Sequence, residues 1–147
     1  MDQERIESVK AGIIAAVVGN MISLLCLGLE ILVIAHRLSI RSIFQGGQRV
    51  AIATVCCFLF GVTYRYIVRQ DPNPHLRSGA VGAFALTRSL SQLENTDLSS
   101  SSPTDALFWV LPMIESFGLF LAVRLMLDWS LRHRWLRPFA TTPIEHP

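Results

Sequence analysis

Apolar residues along this chain gather in long runs, and neither a period-two alternation nor a single helical stripe accounts for them. Ala11 to Leu29 holds nineteen residues without a formal charge, Val50 to Tyr64 holds fifteen, and Ala106 to Val123 holds eighteen interrupted only by Glu115. A hydrocarbon core about 30 Å thick needs about 20 helical residues, so two runs reach that length nearly unaided and the third does so with its flanks. A soluble helix of this length carries a polar face, whereas the stretch from Val50 to Val62 is apolar or small all round. The pattern predicts an all-α polytopic membrane protein.

Spans are expected at about 10–35, 48–68, 76–93 and 106–128, within a single membrane domain. On the first, Gly12, Ala16, Gly19 and Ser23 recur at three- and four-residue spacing, which permits close helix contact. A basic connection, residues 36 to 49, follows; there Gly46-Gly47 is expected to break the helix, with Leu38, Ile40, Ile43 and Phe44 on the lipid surface. Asp71-Pro-Asn-Pro74 is a turn, because each proline keeps the residue before it out of the helical region. The segment from Leu76 to Leu93 is long enough to cross but contains Arg77, Arg88, Ser89, Ser91 and Gln92, so an interfacial or re-entrant helix is its alternative. Residues 94–105 form a polar acidic loop without Lys or Arg, outside the lipid. In the last span Trp109 and Trp129 are twenty residues apart, about 30 Å along a helix, which matches the two interfaces. Pro112 is placed in its first turns, where a missing donor costs little. A basic tail, 132–147, begins with Arg132-His-Arg-Trp-Leu-Arg137, and Trp135 is a third interface anchor.

Charge placement favours four spans over three. The net charge of +2 is too small to argue for nucleic acid, and twelve of the thirteen basic residues are Arg, mostly beside the apolar runs. With four spans and both termini inside, seven basic residues (Arg5, Lys10, Arg69, Arg77, Arg132, Arg134, Arg137) face three (Arg37, Arg41, Arg49) outside. With three spans the division is six against five. A cleaved signal peptide is disfavoured, since the first seven residues are acidic on balance and the first run exceeds a signal core. Cys26, Cys56 and Cys57 lie inside spans, form no disulfide or metal spacing, and read as small packing residues.

Four spans bring three charges to one level. Glu30, Arg88 and Glu115 all fall in the outer half of the bilayer, roughly 7 to 12 Å below its surface at 1.5 Å per residue. A charge in hydrocarbon costs about 2.5–3.5 kcal/mol on insertion scales, and a guanidinium between two carboxylates offsets much of that cost. The cluster is read as an ion-pair clamp that fixes helix register, with a proton or ion pathway or a polar ligand site as the functional alternative. Arg124, Asp128 and Arg132, four apart, read as an interface ladder. Asn20 reads as an interhelical hydrogen bond. All four histidines fall in loops or at helix ends, which removes a mid-membrane haem clamp; HExxH, an intrabundle Ser-His pair and a phosphate loop are absent from the sequence. No cofactor and no metal site are expected.

The block Gly61-Val-Thr-Tyr-Arg-Tyr-Ile-Val-Arg69, continuing through Asn73-Pro-His-Leu-Arg-Ser-Gly79 to Gly82-Ala-Phe-Ala-Leu-Thr-Arg-Ser-Leu90, resembles the central segment of small, uncharacterised polytopic membrane proteins of cyanobacteria and chloroplasts. It covers about a fifth of the chain and matches no motif of known chemistry. The resemblance implies a thylakoid or plasma membrane location and an accessory role in the photosynthetic apparatus, and it assigns no functional residues. Read directly, the block mixes Arg, aromatic and Gly residues most densely, so Tyr64, Arg65, Tyr66, Arg69 and Arg77 are the expected surface for a partner protein or an anionic headgroup. The functional expectation is a non-enzymatic membrane protein, an assembly factor or accessory subunit with both termini cytoplasmic or stromal. Its partners would be the lipid bilayer and other membrane proteins. The rival is a small oligomeric transporter or ion-pathway subunit using Glu30, Arg88 and Glu115.

Overall fold

A computed structural model describes residues 2–33, 40–70, 74–93 and 105–136. They form four helices in chain order, α1 (Asp2–Val33), α2 (Ile40–Gln70), α3 (Pro74–Leu93) and α4 (Asp105–Arg132), and all regular structure among the described residues is helical. Consecutive helices pack side by side and α4 returns against α1, so the four close into a ring with alternating direction. The first end of the bundle therefore holds the start of α1 and α3 and the finish of α2 and α4; the second end holds the reverse.

Three segments are long and apolar enough to cross a membrane: Gln3–Leu29, Phe44–Val68 and Val110–Arg132. α3 is not among them. Its twenty residues would reach about 30 Å, but Arg77, Arg88 and its serines lower its hydropathy below that of the other three. The surface is inside-out by the standards of a water-soluble bundle: Met21 is 68% exposed, Leu32 76%, Ile114 63% and Leu125 60%. Such a surface is stable against lipid tails and a liability against water.

The interior is built from small residues, aromatics and a few polar groups, each set at helical spacing. On α1 the inward positions are Ser8, Ala11, Ala15 and Ser23, joined by Gly12 and Gly19; on α4 they are Ser116, Leu119, Phe120, Val123, Leu127 and Ser130. Steps of three and four keep one face of a helix against its neighbours over several turns. The seam between α1 and α2 is the tightest. A Cβ on Gly61 would lie 2.6 Å from both the Ala11 carbonyl oxygen and the Ala15 Cβ, one on Gly12 would meet the Phe58 ring at 2.7 Å, and one on Gly19 would overlap Cys57. The small-residue stripe expected on α1 thus forms a helix seam at Gly12, Gly19 and Ser23, with Ala11 and Ala15 deeper than Ala16.

Two local expectations are corrected. Gly46-Gly47 does not break a helix: α2 starts at Ile40 and runs through both. Glycine in a helix interior costs about 1 kcal/mol relative to alanine, but a Cβ on Gly46 would sit 2.7 Å from Leu27, so its absence is what lets α2 close on α1. Pro112 does lie in the early turns of α4, as its eighth residue, but that is past the first four amides a helix leaves open, so it removes one backbone hydrogen bond that the helix would otherwise form.

The C-terminal end of α4 is sharply terminated. Arg134 adopts a left-handed conformation (φ 58°), the Trp135 amide donates to the Ser130 carbonyl at 3.0 Å, and the Arg134 amide donates to Leu131 at 3.3 Å. This reversal satisfies carbonyls that every helix end leaves open, and it folds Leu136 back into the core at 1% exposure.

Candidate functional site

Among the described residues, the charged groups of the interior gather in two centres, one at each end of the bundle. At the second end stands Arg88, carried by α3 with a side chain only 3% exposed. Its Nη2 donates to Glu115 Oε1 on α4 at 3.0 Å and its Nη1 donates to Ser116 Oγ at 2.9 Å. With its amide turned so that the oxygen faces the guanidinium, Gln92, one turn along α3, accepts from Nη1 and Nη2 at 3.2 and 3.1 Å. Of the five guanidinium N–H groups, the buried Nε alone finds no acceptor. The sequence-based cluster is therefore brought together at Arg88 and Glu115. Glu30 belongs to α1, but its side chain lies outside the described residues.

A cavity of about 300 Å³ opens beside Arg88, between the first turns of α2 and the last turns of α3. Gln45, Gln48, Arg49 and Ile52 line it from α2, and Arg88, Ser91 and Gln92 from α3. A much smaller void, about 20 Å³, sits between this site and α1, where Ser23, Cys26 and Leu27 meet Arg49, Arg88 and Glu115.

The first end carries the other centre. Arg65, 3% exposed on α2, donates from Nη1 to the Glu4 carbonyl oxygen at 2.7 Å and to Ser8 Oγ at 2.6 Å, while its Nη2 meets Glu4 Oε2 at 2.8 Å. Beside it the Tyr64 hydroxyl donates to Asp128 Oδ1 at 2.7 Å. Asp128 also faces Arg77 of α3 at 3.9 Å and Arg124 of its own helix at 3.8 Å, and Arg124 Nη1 donates to Ser78 Oγ at 3.2 Å. One carboxylate thus ties α2, α3 and α4 together.

This geometry corrects the expected partner surface. Tyr64 and Arg65 are buried, 1% and 3% exposed, and hold helices to one another, whereas Tyr66 faces outward at 45%. Arg77 is partly covered by its approach to Asp128. The side chain of Arg69 lies outside the described residues. The reason for the inward turn is positional: Gly61 and Arg65 are four residues apart, so the side chain that follows the α1 seam by one turn meets the opening turn of α1, where Glu4 and Ser8 wait. The expected ladder is likewise more than an anchor at Asp128, whose Tyr64 bond is between helices. Of the expected interface anchors, Trp129 is 42% and Trp135 65% exposed, with their rings edge to face at 5.4 Å. The side chain of Trp109 lies outside the described residues.

Between the two centres lies an apolar layer. Phe60, Phe84 and Phe120, from α2, α3 and α4, pack with centroids 5.3 to 5.8 Å apart, and Phe60 stacks further on Tyr64 at 5.4 Å. Chain order fixes the layering: Phe60 falls between Arg49 and Tyr64, Phe84 between Arg77 and Arg88, and Phe120 between Glu115 and Asp128. With Cys57, Ala85, Leu119 and Val123 also buried here, the middle of the bundle is dry side-chain packing. Among the described residues no group of three or more His, Cys, Asp or Glu is placed to hold a metal ion. Comparison with protein-family models, with curated proteins and with solved structures finds no match for this chain.

Proposed function

We propose that this chain is a non-enzymatic four-span membrane protein that acts by binding other membrane components, as an assembly factor or accessory subunit of a larger complex, with both termini on the cytoplasmic or stromal side. The complex would be photosynthetic, in a thylakoid membrane, if the likeness of residues 61–90 extends to role. The observation that carries the reading is the pairing of the two buried arginines: Arg65 and Arg88 each meet a carboxylate and a hydroxyl on the adjacent helix, and an aromatic layer separates them. Such groups fix how helices pack, and a polar route from one end to the other would have to pass Phe60, Phe84 and Phe120. A rigid, closed bundle with a lipid-compatible exterior suits a protein whose work is done at its surface.

The rival pathway reading draws on Glu115, which is about one-third exposed and lines the small void between Arg88 and α1. Labelling tests the span count, and flux and complex formation separate the two readings. Single cysteines at Ser42 and Ser100, in a background lacking Cys26, Cys56 and Cys57, are expected to label from the face opposite the termini; labelling from opposite faces would remove α3 as a span. In liposomes the purified chain is expected to carry no ion or proton flux above protein-free vesicles, and in its native membrane to migrate with a larger complex whose abundance falls when the chain is deleted. A flux abolished by Glu115→Gln in a folded protein would favour the pathway.

A further inference from the structure

We infer that the cavity at the second end of the bundle is a binding site for a phosphate-bearing anion, either a phospholipid headgroup or a free phosphate. This goes beyond the accessory-subunit reading and stands on the cavity alone. The walls are built for an oxyanion. Gln45, Gln48, Arg49 and Ile52 are i, i+3, i+4 and i+7 of α2, so one face of that helix is turned to the space. Arg88, Ser91 and Gln92, i, i+3 and i+4 of α3, close the opposite side. Two guanidinium groups and three carboxamides line it, no carboxylate is among the described lining residues, and the Ser91 hydroxyl donates to the Arg88 carbonyl oxygen at 2.9 Å.

Burial makes Arg88 more than a passing surface charge. It is 3% exposed, its position is fixed by Glu115, Ser116 and Gln92, and one of its donors has no acceptor. Glu115 lines the smaller void on the α1 side of Arg88 and not this cavity, so the pair holds the guanidinium in place with its carboxylate off the described cavity wall. Arg49 adds a second cation on the facing helix. A planar carboxylate satisfies one guanidinium fork, whereas a tetrahedral phosphate offers acceptors in several directions and suits donors that approach from two helices at once. The depth also fits. α2 begins at Ile40 and its uncharged run opens at Val50, so Gln45 to Ile52 straddle the start of that run, the level at which headgroup phosphates lie against a spanning helix.

The test uses the purified full chain in neutral detergent, titrated separately with phosphatidylglycerol, phosphatidylcholine and inorganic phosphate and followed by native mass spectrometry. Arg49→Gln removes the second cation, and Ile52→Trp, at a half-exposed position, fills the cavity without touching a charge. Melting temperatures within a few degrees of the parent establish that both variants remain folded. One equivalent of phosphatidylglycerol, held more tightly than phosphatidylcholine and weakened at least tenfold by each substitution, supports the site with a lipid as its source. The same loss seen with inorganic phosphate, and no preference between the lipids, supports it with a free anion. Binding of neither anionic probe, or binding that both folded variants retain at parental strength, overturns it.

Discussion

Arg88 on α3 reaches Glu115 on α4 at 3.0 Å, yet the arginine is almost wholly buried while the carboxylate remains about one-third exposed. The two partners therefore differ in what their loss leaves behind. Removing Glu115 strands a buried cation, and removing Arg88 leaves a carboxylate that water or headgroups can still reach. Glu115→Gln is expected to cost about 1–3 kcal/mol, below the figure for a fully buried pair because of that exposure. The double replacement Arg88→Met with Glu115→Met should recover most of the stability lost in Glu115→Met alone. A double-mutant cycle on thermal unfolding in detergent checks both, and purely additive losses would mean the pair does not couple.

The seam between α1 and α2 depends on a missing side chain. Gly61→Ala would set a methyl 2.6 Å from a backbone oxygen that cannot rotate away, so the helices must separate, with an expected loss of about 1–3 kcal/mol. Gly47→Ala, in open space on the same helix, should be neutral or gain up to about 1 kcal/mol from helix propensity. Equal melting temperatures for the two variants would contradict this packing.

At the first end, Tyr64→Phe removes a 2.7 Å hydrogen bond and leaves the ring stack intact, for an expected loss of about 1 kcal/mol. Asp128→Asn should cost more, since Arg77 and Arg124 both lose their shared counter-charge. Chemical unfolding of the two variants side by side gives the order, and the reverse order would show that the hydroxyl contributes more than the charge.

Arg134→Gly is expected to stabilise the chain, by up to about 1 kcal/mol, because a left-handed helix terminus strains every residue with a Cβ and suits glycine. A lowered melting temperature would indicate that the arginine side chain holds the terminus by a contact worth more than the strain.

How much of this was legible in advance varies with the physics involved. Long uncharged runs announced the helices, and counting residues down from each membrane surface placed Arg88 and Glu115 at one depth before any contact was known. Gly46-Gly47 misled because local propensity favours a break there, whereas the deciding term is the approach of Leu27 from another helix. Arg65 and Tyr64 looked interfacial because they end an apolar run beside Tyr66 and Arg69. Their inward turn depends on Glu4 and Ser8, which belong to a segment that reads as polar and extramembrane until α1 is seen to begin at Asp2. A signal was available: Ala53, Cys57, Phe60, Gly61 and Tyr64 continue one face by steps of three and four, and Arg65 follows Gly61 on it. Gln92 reads only as one of the residues that make the second half of α3 polar, and Ser116 does not stand out at all, because neutral polar groups carry no depth penalty large enough to assign them a partner.

The two deeply placed guanidinium groups have one more property in common. Arg65 is neutralised by Glu4 of α1, and Arg88 by Glu115 of α4, so each finds its counter-ion inside its own pair of consecutive helices. As synthesis proceeds from the N-terminus, α1 with α2 can therefore form a self-compensated hairpin before α3 and α4 exist, and α3 with α4 can form a second. Neither half has to wait for the other to relieve its most costly charge. What remains for their meeting is the fitting together of rings at Phe60, Phe84 and Phe120 and the latch from Tyr64 to Asp128, a late docking of two finished pieces.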